Sequence, residues 1–156
     1  RLAEATARNA RLREEGTRNL VEAAVRAGVR RLVAQSIAFA YAGERQPHRE
    51  EDPLAVDAEG RAGVSARGVA SLERQVLEAP LTGIVLRYGR LYGPGTGFDA
   101  PKGPSPLHVD EAARAAALAA TRGAPGIYNI AEDDGTVTIV KARRELGWTP
   151  DRASPP

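Results

Sequence analysis

Apolar residues recur at helical spacing from Leu2 to Ala27, gather into short runs at three later places, and return to helical spacing between those runs. Residues 2–27 are dominated by Ala, Arg, Glu and Leu, all good helix formers, with Gly16 as either a weak point or a break between two helices. Thr17 or Asn19 can cap the second part, Leu20, Ala23, Ala24 and Ala27 share one face, and Gly28 stands at the C-terminal stop. Arg31 to Ser36 reads as a short buried strand. From Ala42 to Gly63 the chain is polar and carries Gly, Pro and acidic residues, the pattern of a long surface loop. Helix resumes from Ser65 to Glu78, with Val69, Leu72, Val76 and Leu77 on its apolar side, and Pro80 ends it. Thr82 to Tyr88 is a second strand, followed by the Gly/Pro-rich run Gly89 to Pro106. Asp110 is expected to cap an alanine-rich helix ending near Gly123. Gly126 to Ile130 is a third strand, and Ile139 to Leu146 a last short helix before Gly147 and Trp148. This alternation predicts an α/β protein with a mainly parallel sheet. Three short strands make a narrow sheet, and parallel sheets need both faces covered, so the sequence reads as part of a larger fold.

Composition narrows the chemistry more than the fold. The 156 residues contain no cysteine, which excludes disulfide staples, Cys-based zinc sites and a thiol nucleophile. Net charge is only +2, and of the 22 basic side chains all but Lys102 and Lys141 are arginine. The arginines are interleaved with glutamates, as in Arg11-Leu12-Arg13-Glu14-Glu15, the pattern of a solvated helix face rather than a nucleic-acid surface. No run approaches the ~18 apolar residues of a membrane span, and a soluble cytoplasmic protein is expected. The absence of methionine and the opening Arg1 point to an incomplete sequence.

No strand here runs into a G-x-G-x-x-G turn and a helix, the arrangement that sets backbone N–H groups against pyrophosphate. Gly93-Pro94-Gly95-Thr96-Gly97 is glycine-rich but leads to Phe98, Asp99 and Pro101, and reads as a turn at the C-terminal end of a strand. That edge of an open α/β sheet is nevertheless where ligands bind. His48 and His108 have no metal-ligand spacing: His48 sits in a charged loop and is expected to be solvated, and His108 to be structural or cleft-lining. Ser36, His108 and Asp110 lack the G-x-S-x-G elbow that would hold a serine nucleophile. Glu50-Glu51-Asp52 reads as a solvated acidic loop.

Five segments in order carry a resemblance. They are Glu15-Gly16-Thr17-Arg18-Asn19-Leu20-Val21-Glu22-Ala23-Ala24 with Gly28 to Val33; Gln35-Ser36 with Ala40-Tyr41-Ala42; Leu86 to Gly95; His108 to Ala113; and Tyr128-Asn129-Ile130 with Leu146-Gly147-Trp148. Together they resemble the extended short-chain dehydrogenase/reductases, the NAD-dependent epimerase/dehydratase family, over roughly the C-terminal half to two thirds of a member. The resemblance implies a Rossmann-like, doubly wound parallel sheet whose glycine-rich first turn lies in an N-terminal portion absent from this sequence. Residues 1–95 would be the later part of the NAD(P)-binding domain. Residues 96–156 would be a substrate-side portion with one returning strand, not folding independently. The cofactor would be NAD or NADP, with Tyr88 and Gly89 beside its nicotinamide end and Ser36 near its ribose. Arg90 stands where the family usually has an asparagine facing substrate. Its planar fork could pair with a phosphate or carboxylate, or form a salt bridge across the loop. Tyr92 and His108 are the other expected substrate contacts.

The family's reaction needs a tyrosine acid/base, a lysine four residues on that lowers its pKa, and a nearby Ser/Thr. A phenol of pKa about 10 works near neutrality only beside a fixed cation. Counted from Glu73, the tyrosine position falls on Ser65 and the lysine position on Val69. Counted from Tyr41, the Ser/Thr position falls on Ile37, with Ser36 one place early. The resemblance is therefore to an atypical member without the usual catalytic pair. Segments 96–107 and 133–140 are short by the family pattern and are read as places where residues have been dropped. The function expected is an NAD(P)-binding, epimerase/dehydratase-like oxidoreductase acting on a small polar or sugar-nucleotide substrate. The alternative is a non-catalytic dinucleotide sensor or scaffold that regulates a partner. A homodimer through the helices near 9–27 and 65–78 is expected, with no metal, nucleic acid or membrane.

Overall fold

The computed structural model describes residues 1–150; the last six residues of the expected 96–156 portion lie outside the described residues. A long N-terminal helix runs as α1 (Leu2–Arg11), one wider π turn (Leu12–Gly16) and α2 (Thr17–Arg26). Gly16 is thus absorbed without a break, and Gly28 takes the left-handed conformation just past the helix end. Strand β1 (Arg31–Ile37) follows, then helix α3 (Gly60–Glu78) and strand β2 (Thr82–Tyr88). The remaining elements are β3 (Arg90–Tyr92), β4 (Pro106–His108), α4 (Val109–Ala119), β5 (Gly126–Ile130) and α5 (Val140–Leu146).

The main sheet is parallel in the order β1-β2-β5, with Leu32 beside Gly83 and Leu86 beside Tyr128. Its two faces are covered by different helices, as a doubly wound sheet requires. On one face Leu72 and Val76 of α3 pack with Val85 against Val21, Leu32, Ala34 and Ile127. On the other, Ile84, Leu86, Tyr128 and Ile130 pack against Ala112, Ala115 and Ala119 of α4, Ala142 and Leu146 of α5, and Trp148. The long helix is held to α3 by close approach: a Cβ on Gly68 would stand 3.0 Å from the Ala10 Cα. At β5 the sheet's outer rim is occupied by side chains, Glu50 Oε1 accepting from the Asn129 N–H at 3.1 Å and Lys141 Nζ donating to the Ile127 carbonyl at 2.8 Å.

Several expectations change. The covered face of α1–α2 includes Thr6, Ala10, Thr17, Val21 and Ala24, with Ala10 against Gly68 and Val21 packed with Leu72 and Val76 of α3, whereas Leu20 is 65% exposed and Ala23 and Ala27 are exposed. Leu77 is 39% exposed, while Val69, Leu72 and Val76 of the same helix are buried. Helix α3 starts at Gly60, so the preceding loop is shorter than 42–63 and is pinned by bridges from Tyr41 to Leu54 and from His48 to Val137. His48 is buried, not solvated, its ring stacked on Tyr41 at 4.7 Å. The cap of α4 is His108, whose Nδ1 accepts from the Asp110 N–H, and that helix ends at Ala119 rather than near Gly123. The run from Gly89 to Pro106 contains one short strand, β3, and ends on the first residue of another, β4, the two paired in parallel.

Candidate functional site

The C-terminal ends of β1 and β2 and the chain that leaves them form the ligand-binding edge of this kind of sheet. The positions counted separately for the Ser/Thr and the lysine meet there: Ile37 and Val69 lie in one apolar cluster with Ala40 and Ala66, overlaid by Leu54, Ala55 and Val56. Val69 and Ala66 are fully buried. At these counted positions the chain gathers methyl groups. Ser65, at the tyrosine position, is half-buried on the same helix.

Beside this cluster runs a buried polar row. Ser36, Arg87 and Asn129 are register partners across the sheet. Glu73 of α3 accepts from Ser36 Oγ at 2.7 Å and from Arg87 Nε and Nη2 at 2.8 and 2.7 Å. Burial works against the Arg87 charge, but the Glu73 hydrogen bonds and charge outweigh it and hold Arg87 above its ordinary value. Arg87 Nη1 also donates to the Glu50 carbonyl, its guanidinium lies 4.9 Å from the Tyr41 ring centre, and Tyr41 OH donates to Asn129 Oδ1 at 2.6 Å. The row therefore ties strands, α3 and the 42–59 loop into one body.

Burial pushes two phenols at this end of the sheet, Tyr41 and Tyr88, up to about 12. An unfolded chain ionises them near pH 10, so the stability they carry is intact below pH 10 and lost as pH rises towards 12. Alkaline unfolding, followed by circular dichroism and tyrosinate absorbance together, is expected in that window. Tyr88→Phe should make stability fall less steeply across it; an unchanged slope would contradict the assignment.

The residues singled out from the sequence separate into two groups. Ser36 and Tyr88 face inward, Ser36 bonded to Glu73 and the Tyr88 hydroxyl donating to the Ala112 carbonyl at 2.7 Å. Gly89 lies at the crossing of backbones, where a Cβ would come within 2.3 Å of the Ser105 carbonyl oxygen. Tyr92 and His108 are brought together edge to face at 5.1 Å, with Tyr92 OH donating to Glu132. Arg90 stands apart from them, exposed, its guanidinium 4.2 Å from the Phe39 ring centre. It borders a cleft of ≈ 500 Å³ that Phe98 and Lys102 complete. Phe39, Phe98 and Lys102 escaped the sequence reading; their rarity was the available signal, since they are the only two phenylalanines and one of two lysines. Gly93-Pro94-Gly95-Thr96-Gly97 closes on itself as a turn, with Gly93 N–H donating to the Phe98 carbonyl.

No family model matches the chain. A 3-diazoavenalumate denitrifying reductase from a Streptomyces species is 45% identical over 176 aligned positions, which take in 97% of this chain and 58% of the relative. The chain thus spans less than two thirds of that relative's length. The alignment is longer than the 156-residue chain itself, so the relative carries segments that this chain lacks. UDP-glucose 4-epimerase of Thermotoga maritima, solved with UDP-glucose, superposes with a TM-score of 0.76 at 20% identity, over 96% of this chain and 67% of its own. DesIV, a dTDP-glucose 4,6-dehydratase from Streptomyces venezuelae solved with NAD and TYD, does so with a TM-score of 0.71 at 18% identity, over 91% and 62%. In the described residues no helix is long and apolar enough to cross a membrane. The chain carries the parallel α/β fold shared by these solved epimerase and dehydratase structures.

Proposed function

We propose that the chain serves an NAD(P)H-dependent reductase that acts on a small polar electrophile without a side-chain acid or base. The observation that carries this reading is the apolar Ile37–Ala66–Val69 cluster at the positions of the family's proton-handling groups. Oxidising a sugar carbinol, the first step of epimerisation or dehydration, moves a hydroxyl proton together with the hydride and calls for an activated phenol. Nothing in this cluster can activate one. A diazo group, the kind of group named for the Streptomyces relative, makes no such demand. In its diazonium form, R–N2+, such a group would take hydride that a bound dinucleotide would supply and give R–H and N2, which balances in atoms and charge with no proton donor.

The residues present fit such a cofactor as a wall rather than as a proton relay. The Ser36 and Tyr88 hydroxyls are committed to Glu73 and Ala112, so at the ribose and nicotinamide ends these residues would offer shape and contact rather than free hydrogen bonds. Gly89 keeps the backbone path open between them. Arg90 would face substrate, while Tyr92 and His108, paired edge to face outside the cleft that Arg90 borders, would position the segment beside it. A homodimer through the helices near 9–27 and 65–78 belongs to the same reading, supported by the exposed Leu12, Leu20, Val25 and Leu77 on those helices. The reading goes with a cytoplasmic location.

The test uses full-length protein with NADH or NADPH, offered either a diazonium-bearing carboxylate or UDP-glucose, against enzyme-free controls. Dinucleotide oxidation matched one to one by N2 release, with UDP-glucose untouched, is the expected result. Epimerised or dehydrated UDP-glucose would overturn the reading. Dinucleotide that binds but is never consumed would also overturn it, in favour of the sensor or scaffold alternative.

A further inference from the structure

Resting on the reductase reading, we infer that the cleft between Phe39 and Phe98 selects a planar, conjugated carboxylate as substrate, with Arg90 and Lys102 holding its acid group. Phe39 and Phe98 are 40% and 48% exposed, unusual for the only two phenylalanines of the chain, and both border the same ≈ 500 Å³ cleft. Each carries a cation against its ring face: Arg90 Cζ is 4.2 Å from the Phe39 centre and Lys102 Nζ 4.8 Å from the Phe98 centre. Such stacking holds a long side chain in place while leaving its remaining N–H groups for an anion. Leu91 and Pro104 complete an apolar wall, and glycine supplies the rest of the lining.

The selectivity follows from what this lining can and cannot bond. It contains two positive charges and no acid, so it attracts an anion. It contains no Asn, Gln, Asp, Glu, Ser, Thr, Tyr or His, so no side chain accepts a hydrogen bond from a sugar hydroxyl. Burying sugar hydroxyls against phenylalanine, leucine and proline would leave them unpaired, a penalty that a flat unsaturated ring does not incur. The volume lies within the range of small-ligand sites. A flat ring against the apolar wall with a carboxylate at the two cations matches the side chains that line the cleft.

Trans-cinnamate, an unreactive planar carboxylate, its methyl ester, and UDP are titrated into full-length protein by calorimetry. NADH and NADPH are titrated on the same preparation. Cinnamate is expected to bind at least about tenfold more tightly than its ester, the share of one charge-assisted contact. Arg90→Gln and Lys102→Gln, both at exposed positions, should each remove about tenfold of cinnamate affinity and leave the ester unchanged. Phe98→Ala should weaken both ligands. Equal binding of acid and ester, or tighter binding of UDP than of cinnamate, would overturn the inference. The dinucleotide titrations keep the two claims apart. Acid-over-ester selectivity without dinucleotide binding removes the reductase reading and supports the cleft; dinucleotide binding without that selectivity does the reverse.

Discussion

Arg87→Leu is expected to destabilise the protein by about 3–5 kcal/mol, because it strands a carboxylate inside the molecule. Glu73 is 5% exposed and Arg87 3%, and the two are joined by paired hydrogen bonds of 2.8 and 2.7 Å. Removing the cation leaves Glu73 with Ser36 Oγ as its remaining described donor and detaches the Glu50 carbonyl as well. Urea unfolding should show the midpoint falling with little change in slope. The cost arises from the orphaned charge and not from the pair as such, so adding Glu73→Leu to Arg87→Leu should recover a large part of it. A single variant within about 1 kcal/mol of the parent, or a double variant no more stable than the single, would show that the pair is not the anchor described.

The second large effect is expected at the position that would carry the family's lysine. Val69→Lys puts an ammonium into a fully buried site whose neighbours are Ile37, Ala40 and Ala66. An unpaired charge there costs several kcal/mol, which the protein can reduce only by releasing the proton or opening the cluster. Thermal unfolding should drop by many degrees, with the loss largest below neutrality, where the amine is most firmly protonated. Ser65→Tyr together with Val69→Lys should likewise fail to confer sugar-nucleotide epimerisation. A stable double variant that epimerises UDP-glucose would mean that the cluster tolerates proton chemistry, and the reductase reading would fall.

The sheet was open to sequence reading because its strands are continuous apolar runs with turn residues at their ends. Thr82 to Tyr88 lies between Pro80 and Gly89, and the observed strand has those same ends. Gly126 to Ile130 behaves alike, and the alternation of helix and strand left a parallel arrangement as the simple solution. What escaped depended on partners distant in sequence. Leu20 and Thr17 lie one helical turn apart, and composition favours the leucine as the inward residue. The contact with α3 is made instead by small groups, because the helices approach too closely for larger ones. The burial of His48 comes from Tyr41 and from Val137, nearly ninety residues away. Three-residue strands such as β3 and β4 are too short to show a period within a Gly/Pro-rich run. At the site, counting along the chain singled out Ile37 and Val69, and the structure adds that the two lie in one apolar cluster. The cleft was not legible, since Phe39 and Phe98 lie nearly sixty residues apart in loops without pattern.

The side chains that saturate the rim of β5 give the sheet a direction. With the Asn129 amide taken by Glu50 and the Ile127 carbonyl by Lys141, a newcomer strand on that side would have to displace two ionic groups before forming its first ladder bond. β1 pairs only with β2 among the described residues, and its far side has no comparable guard. Any extension of the sheet, by this polypeptide or by another molecule, is therefore steered to the β1 flank. A tag or fusion segment able to adopt extended structure should be kept away from that flank.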